Sequence, residues 1–197
     1  MSTPTATHSD PGAAAALHEA FPDKTRAPEE FHGDLTVEID AAAEVEVLTH
    51  ARDALGYDLL IDRLGDDFGE DAEPRFAVRT VLYNLETHKR LLFRVRVDEL
   101  ACEIPSLIPV FRGADWFERE VWDMYGLKFT GHPDLRRILM PDHFPDHPLR
   151  KDYPLEGRGD FAAPHRALGG NVDGTDGQVA VPPGLRGESE IQASEDP

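Results

Sequence analysis

Residues 76–97 read FAVRTVLYNLETHKRLLFRVRV, two extended runs back to back. The second run alternates: Leu91, Phe93, Val95 and Val97 fall on one side, Arg94, Arg96 and Asp98 on the other. A period of two predicts a strand with one face in a core and the other wet or against a polar partner. The first run, Phe76 to Leu85, is apolar at both parities (Phe76, Val78, Leu82; Val81, Tyr83, Leu85), which predicts a central strand covered on both faces. Glu86-Thr87-His88-Lys89 closes the two into a β-hairpin.

Upstream of the hairpin, Leu35-Thr36-Val37-Glu38-Ile39 alternates as a half-buried strand does. Ala43 to Leu55 has helical spacing, with Val47, Ala51, Ala54 and Leu55 in one stripe and Gly56 as the C-cap. Tyr57 to Ile61 predicts a second short strand. Residues 65–74, GDDFGEDAEP, read as a charged loop and lack the ligand spacing of a calcium loop. Residues 1–33 are rich in Ser, Thr, Pro, Ala and acids. They predict a poorly ordered extension whose one regular piece is a short helix within Ala13–Phe21.

Downstream, Pro105 is expected to open a short helix that runs to about Phe111. Asp115 then N-caps a longer helix, Trp116 to Tyr125, with Glu118 completing a capping box and Gly126 ending it. Phe117, Val121, Met124 and Tyr125 form its apolar stripe, and Arg119 and Asp123 are spaced to pair with each other. Beyond Gly126, Pro133, Pro141, Pro145, Pro148 and Pro154 forbid a helix or a central strand. An extended arm results, and its apolar side chains (Leu135, Ile138, Leu139, Met140 and Phe144 among them) need a surface to lie on, which a neighbouring protein would supply. The organisation expected is an N-terminal extension (1–33), a domain (34–126), a partner-binding arm (127–155) and a disordered tail (156–197).

Composition narrows the partners. A formal net charge of −18 argues against nucleic acid and anionic membrane surfaces, both of which select for basic patches. Cys102 is the single cysteine, so neither an internal disulfide nor a cysteine-ligated cluster made by this chain alone is available. No apolar run approaches the ~20 residues of a membrane helix, so any work at a membrane is expected to rely on another subunit.

The candidate chemistry gathers in residues 117–155. His143 and His147 are four apart, but Pro145 between them breaks the helix that a zinc-protease geometry needs; His132 and His165 add no motif. Glu118, Glu120, Asp123 and Asp134 are explained by capping and ion pairing. No phosphate-binding glycine loop or nucleophile elbow is present. What remains is charge: Arg136, Arg137, Arg150 and Lys151 stand beside Asp134, Asp142, Asp146 and Asp152, a pattern suited to pairing with carboxylates on another chain.

Glu118-Arg119-Glu120, Asp123-Met124-Tyr125-Gly126, residues 131–139 (GHPDLRRIL) and residues 147–152 (HPLRKD) closely resemble the signature of the 30 kDa (C) subunit family of respiratory complex I. The resemblance implies an α+β fold, a two-layer mixed sheet packed with helices and followed by an extended Pro-rich C-terminal arm. It implies a non-redox structural subunit of the hydrophilic arm of the proton-translocating NADH–quinone oxidoreductase, peripheral on the cytoplasmic side of the membrane. No catalytic residue is expected in the chain. FMN and iron–sulfur clusters belong to other subunits of the complex, and quinone is met only indirectly. The implied partners are the 49 kDa (D) subunit and other hydrophilic-arm subunits of the complex, with Glu118, Arg119, Glu120, Asp123, His132, Arg136, Arg137, His147, Arg150, Lys151 and Asp152 as contact and folding residues. Charge reversal at Arg136 and Arg137 is expected to weaken assembly and leave the domain folded. The nearest alternative is the equivalent subunit of a membrane-bound hydrogenase or of another quinone- or ferredoxin-linked dehydrogenase. An alternative of a different class is a stand-alone metal-dependent hydrolase.

Overall fold

In the computed structural model, which describes residues 8–158, the hairpin forms the middle of a five-stranded sheet. The elements in chain order are α1 (Pro11–Ala20), β1 (Glu29–Phe31), β2 (Asp34–Ile39), α2 (Glu44–Leu55), β3 (Leu59–Asp67), β4 (Phe76–Asn84), β5 (Lys89–Val97), β6 (Glu103–Pro105), α3 (Ala114–Tyr125) and β7 (Lys128–Thr130). The sheet order is β1-β2-β5-β4-β3; β2 and β5 run parallel, the other neighbours antiparallel. β6 and β7 form a separate parallel pair.

Register explains the layering. Val78 lies opposite Val95, Thr80 opposite Phe93 and Leu82 opposite Leu91, while Val37 and Ile39 of β2 pair with Phe93 and Val95. Directly paired residues share a face, so these side chains form one apolar surface. Ala14 and Leu17 of α1, Val47, Leu48 and Ala51 of α2, and Val121 of α3 pack on it. Each large aliphatic or aromatic side chain so buried contributes about 1.5–3 kcal/mol. The other face carries Arg79, Arg94 and Arg96, paired with Asp66, Glu38 and Glu29. The fold is therefore α+β, with helices on one side of a mixed sheet.

Four local expectations are corrected. The strand placed at residues 57–61 runs from Leu59 to Asp67, so part of the predicted charged loop is strand. Its alternation is hidden because Arg63 and Asp67 point into the protein and Gly65 separates them. Residues 8–33 hold more than the expected short helix: that helix is present as α1, β1 adds a strand to the sheet, and Asp10 caps α1 by accepting the Ala13 N–H (3.2 Å) and also takes the Tyr57 hydroxyl (3.0 Å). Pro105 ends strand β6, and the helix expected from it is absent; residues 106 and 107 have no regular structure and a turn covers residues 108–110. β4 is central in the sheet, yet Val81 and Tyr83 are only half-buried and Leu85 is exposed, because no second layer covers that face among the described residues. The tail expected at 156–197 lies outside the described residues beyond 158.

No helix of the described residues is long and apolar enough to cross a membrane. One unit of the chain ends at Tyr153, and a second begins at Pro154.

Candidate functional site

The last turn of any α-helix leaves its carbonyls without intrahelical partners and carries the negative end of the helix dipole. In α3 the segment that follows supplies the missing donors. Gly126 N–H caps Trp122 (2.8 Å). The Asp123 carbonyl takes His147 Nδ1 (3.0 Å) and Arg137 Nη1 (3.4 Å). Leu149 N–H donates to Met124 (3.1 Å), and Arg150 Nε donates to Tyr125 (2.6 Å). Two of these donors are guanidinium cations, the charge that a helix C-terminus favours. The arm thus lies against its own domain. The expectation that its apolar side chains need a neighbour's surface is corrected in part: Leu127, Phe129 and Phe144 are buried in the chain's own domain, whereas Leu139 and Leu149 are exposed.

Side chains of α3 continue the attachment. The Asp123 carboxylate is fully buried. Its Oδ2 accepts three consecutive backbone N–H groups, from Ile138 (3.1 Å), Leu139 (2.8 Å) and Met140 (2.9 Å), and Oδ1 pairs with Arg137. Burial pushes this carboxyl up, but the four donors outweigh it and hold it below the usual carboxylate range. Arg137 reaches on to the carbonyls of Phe144 (2.6 Å) and Asp146 (3.1 Å), with the Trp122 and Phe144 rings each 5.7 Å away. Arg119, one turn before Asp123, donates to the carbonyls of Arg136 (3.2 Å) and Arg137 (3.0 Å). The expected pairing of Arg119 with Asp123 is replaced by two grips on the same arm.

Glu118 has a different fate from the capping box expected of it. Gly113 precedes the helix without a side-chain cap. The Glu118 carboxyl is instead buried, accepting Ser106 Oγ and Leu107 N–H at 2.7 Å each. Beside it, Arg63 makes a two-pronged bond to Glu44 (2.8 and 2.9 Å) and donates to Thr80, with its Nε 3.6 Å from Glu118. Burial pushes the Glu118 carboxyl above the usual range, against the pull of Arg63 and of its two donors. Physically, one guanidinium already committed to Glu44 cannot also neutralise a second buried carboxylate in full.

The arm ends at another anchor. Asp67 accepts Arg75 through both oxygens (3.0 and 2.9 Å) and the Lys151 N–H (2.7 Å). Arg75 also binds Asp152 (3.0 Å) and Glu99 (2.6 Å). Burial pushes Asp67 up, yet Arg75 and the Lys151 and Gly69 N–H groups win and hold its pKa at about 2.

Of the sequence-based site residues, the structure brings Asp123, Arg137, His147 and Arg150 together at the end of α3, with Arg119 one turn away. Lys151 and Asp152 join Asp67 and Arg75. His132 stands apart, its Nδ1 accepting Asp134 N–H (3.0 Å) and its Nε2 facing the Asp115 carbonyl (3.3 Å). Glu120 is exposed, and Arg136 is exposed beside Asp134 (2.8 Å). Among the described residues, no three His, Cys, Asp or Glu side chains are placed to share a metal ion; His165 lies outside those residues. Glu44, Arg63, Asp67 and Arg75 escaped the sequence reading. The one available signal was charge at inward parity within an otherwise strand-like run.

Comparison with known proteins places this architecture. The family described as "Respiratory-chain NADH dehydrogenase, 30 Kd subunit" matches residues 37–159, which include α3 and the whole arm. The C subunit of the NADH-quinone oxidoreductase of Geobacter metallireducens is 41% identical over 147 residues, 75% of this chain and 91% of that protein. Its counterpart in Caulobacter vibrioides is 48% identical over 127 residues, 64% of each. Among solved structures, the trypsin-resistant fragment (1–134) of Nqo5 aligns with a TM-score of 0.55 at 31% identity, covering 61% of this chain and 97% of the fragment. A chain of the archaeal membrane-bound sulfane sulfur reductase aligns with a TM-score of 0.62 over 72% of this chain and 83% of its own, at 18% identity, a likeness of fold alone. The chain belongs to the 30 kDa subunit family of the respiratory-chain NADH dehydrogenase.

Proposed function

We propose that this chain is a non-redox structural subunit of the peripheral arm of a proton-translocating NADH–quinone oxidoreductase. It supports electron transfer from NADH to quinone, while FMN and the iron–sulfur clusters reside in other subunits. The observation that carries this reading is the family match across residues 37–159, continuous through the strands, α3 and the arm. The site chemistry agrees with it. Glu118, Arg119, Asp123, Arg137, His147 and Arg150 spend their hydrogen bonds on the chain's own backbone and side chains, the work of folding residues. The partner-facing surface is what this framework leaves outside: Trp116, Glu120, Arg136, Leu139 and Leu149. These residues dock on the 49 kDa subunit, and through it the chain sits peripherally on the cytoplasmic side of the membrane.

The test is to tag the full chain in its native host, extract membranes with mild detergent and identify what co-purifies. A 49 kDa-type subunit together with an NADH-oxidising flavoprotein subunit is expected. Recovery of the chain alone, or with hydrogenase-type subunits and no NADH-oxidising flavoprotein, would overturn the reading.

A further inference from the structure

Arg119 and Asp123 occupy adjacent turns on one face of α3, and both are buried. Side chains at this spacing and of opposite charge ordinarily pair with each other. Here they divide one peptide segment between them. The cation takes the carbonyls of residues 136 and 137; the anion takes the N–H groups of residues 138, 139 and 140. Five backbone groups in succession are held from one helix face. Sequence order matches chemistry, since the residue nearer the helix start can only donate and the other can only accept. Within this segment the Arg137 side chain turns inward to Asp123, whereas Leu139 (60% exposed) and Arg136, beside Asp134, stay outside.

From this arrangement, we infer that Arg119 and Asp123 are positioning residues, a two-sided clamp that presents Arg136 and Leu139 preformed to an apolar recess with an acidic rim on the neighbouring subunit. The inference rests on the docking role proposed above and specifies its physics. A segment ordered before binding does not have to be ordered by binding, so the association step keeps more of its contact energy. An apolar side chain beside an exposed guanidinium fits a recess that is hydrophobic at its base and carboxylate-bearing at its edge.

The experiment is amide hydrogen exchange on the free full-length chain, paired with incorporation of the labelled chain into membranes from a host lacking it. The amides of Ile138, Leu139 and Met140 are expected to exchange at least about tenfold more slowly than unstructured references. Asp123→Asn is expected to abolish that protection, leave β5 amides unchanged and slow incorporation. If Asp123→Asn also exposes β5, then Arg119→Gln, which keeps the buried carboxylate with its donors, reads the same loop. Unprotected amides in the wild-type chain overturn the clamp, as does a variant with a loosened loop that incorporates as fast as wild type. Leu139→Asp separates the clamp from the docking reading. Loss of incorporation with the loop still protected supports both, whereas normal incorporation overturns docking through Leu139.

Discussion

At Gly126 the backbone turns to φ +78°, and a Cβ there would stand 2.6 Å from both the His147 ring and the Arg150 guanidinium. The left-handed conformation and the close approach are both required, because these two side chains are the ones capping the end of α3. Gly126→Ala is expected to destabilise the subunit by about 2 kcal/mol or more, read by denaturant unfolding. Buried carboxylates make opposite demands on pH. Asp67, held at about 2 by Arg75 and two backbone N–H groups, contributes stability that is fully present above the unfolded value near 3.8 and is lost as pH falls toward 2. Asp67→Asn should therefore be less stable than wild type at neutral pH and show a flatter loss of stability in acid. Glu118 runs the other way. Its raised folded pKa gives a contribution that is full below the unfolded value near 4.5 and is lost as pH rises through the folded pKa. Glu118→Gln, permanently neutral, is expected to stay within about 1 kcal/mol of wild type at neutral pH, whereas Glu118→Ala strands Ser106 and the Leu107 N–H and costs about 2–4 kcal/mol.

The individual elements differ in how plainly the sequence announces them. The hairpin, β2 and α2 were legible because each buries apolar residues at its own period and stops at turn residues. α3 was legible as a helix from its own pattern, but as a site only through the family resemblance, which named Glu118, Arg119 and Asp123 without their partners. A hydropathy stripe assigns Glu118, Arg119 and Asp123 to solvent, and all three are buried, while Trp116 in the same helix is 61% exposed. Polar residues go inside here because the arm and the 106–107 segment bring backbone groups that need buried polar partners. Those partners lie up to 18 residues away, beyond any local pattern. β3 was cut short for a related reason: Arg63 and Asp67 are inward-facing charges whose partners sit on α2 and after the next turn. Gly65 between them is a packing residue. A Cβ there would lie 2.5 Å from the Tyr125 ring and 3.2 Å from Val121, so β3 and α3 meet at van der Waals distance only because this position is bare. Gly65→Val is expected to lift α3 from the sheet, costing about 3 kcal/mol and exposing the amides of α3 to exchange before those of β5. Equal loss of protection in both elements would show that this contact is not what seats the helix.

At the scale of the whole molecule, the arm belongs to the domain as much as to any partner, and Arg136 and Arg137 show how the two roles divide. Adjacent in sequence and equal in charge, they were expected to act alike. The structure gives Arg137 a buried aspartate, three carbonyls and two aromatic rings, and gives Arg136 an exposed aspartate. Arg137→Glu would bring a second carboxylate to the fully buried Asp123 and release the backbone at Phe144 and Asp146. Breaking a buried pair in this way costs about 3–5 kcal/mol, enough to lower the melting temperature by several degrees and free the arm from α3. Arg136→Glu removes a surface cation and its exposed pair with Asp134, which is worth little to stability, so the melting temperature should be nearly unchanged while co-purification with the 49 kDa partner falls, most clearly at low salt, where exposed charges act at longest range. Measuring both quantities for both variants separates folding from docking. Equal melting temperatures would refute the buried anchor, and full recovery of partner with Arg136→Glu would move the docking surface elsewhere on the molecule.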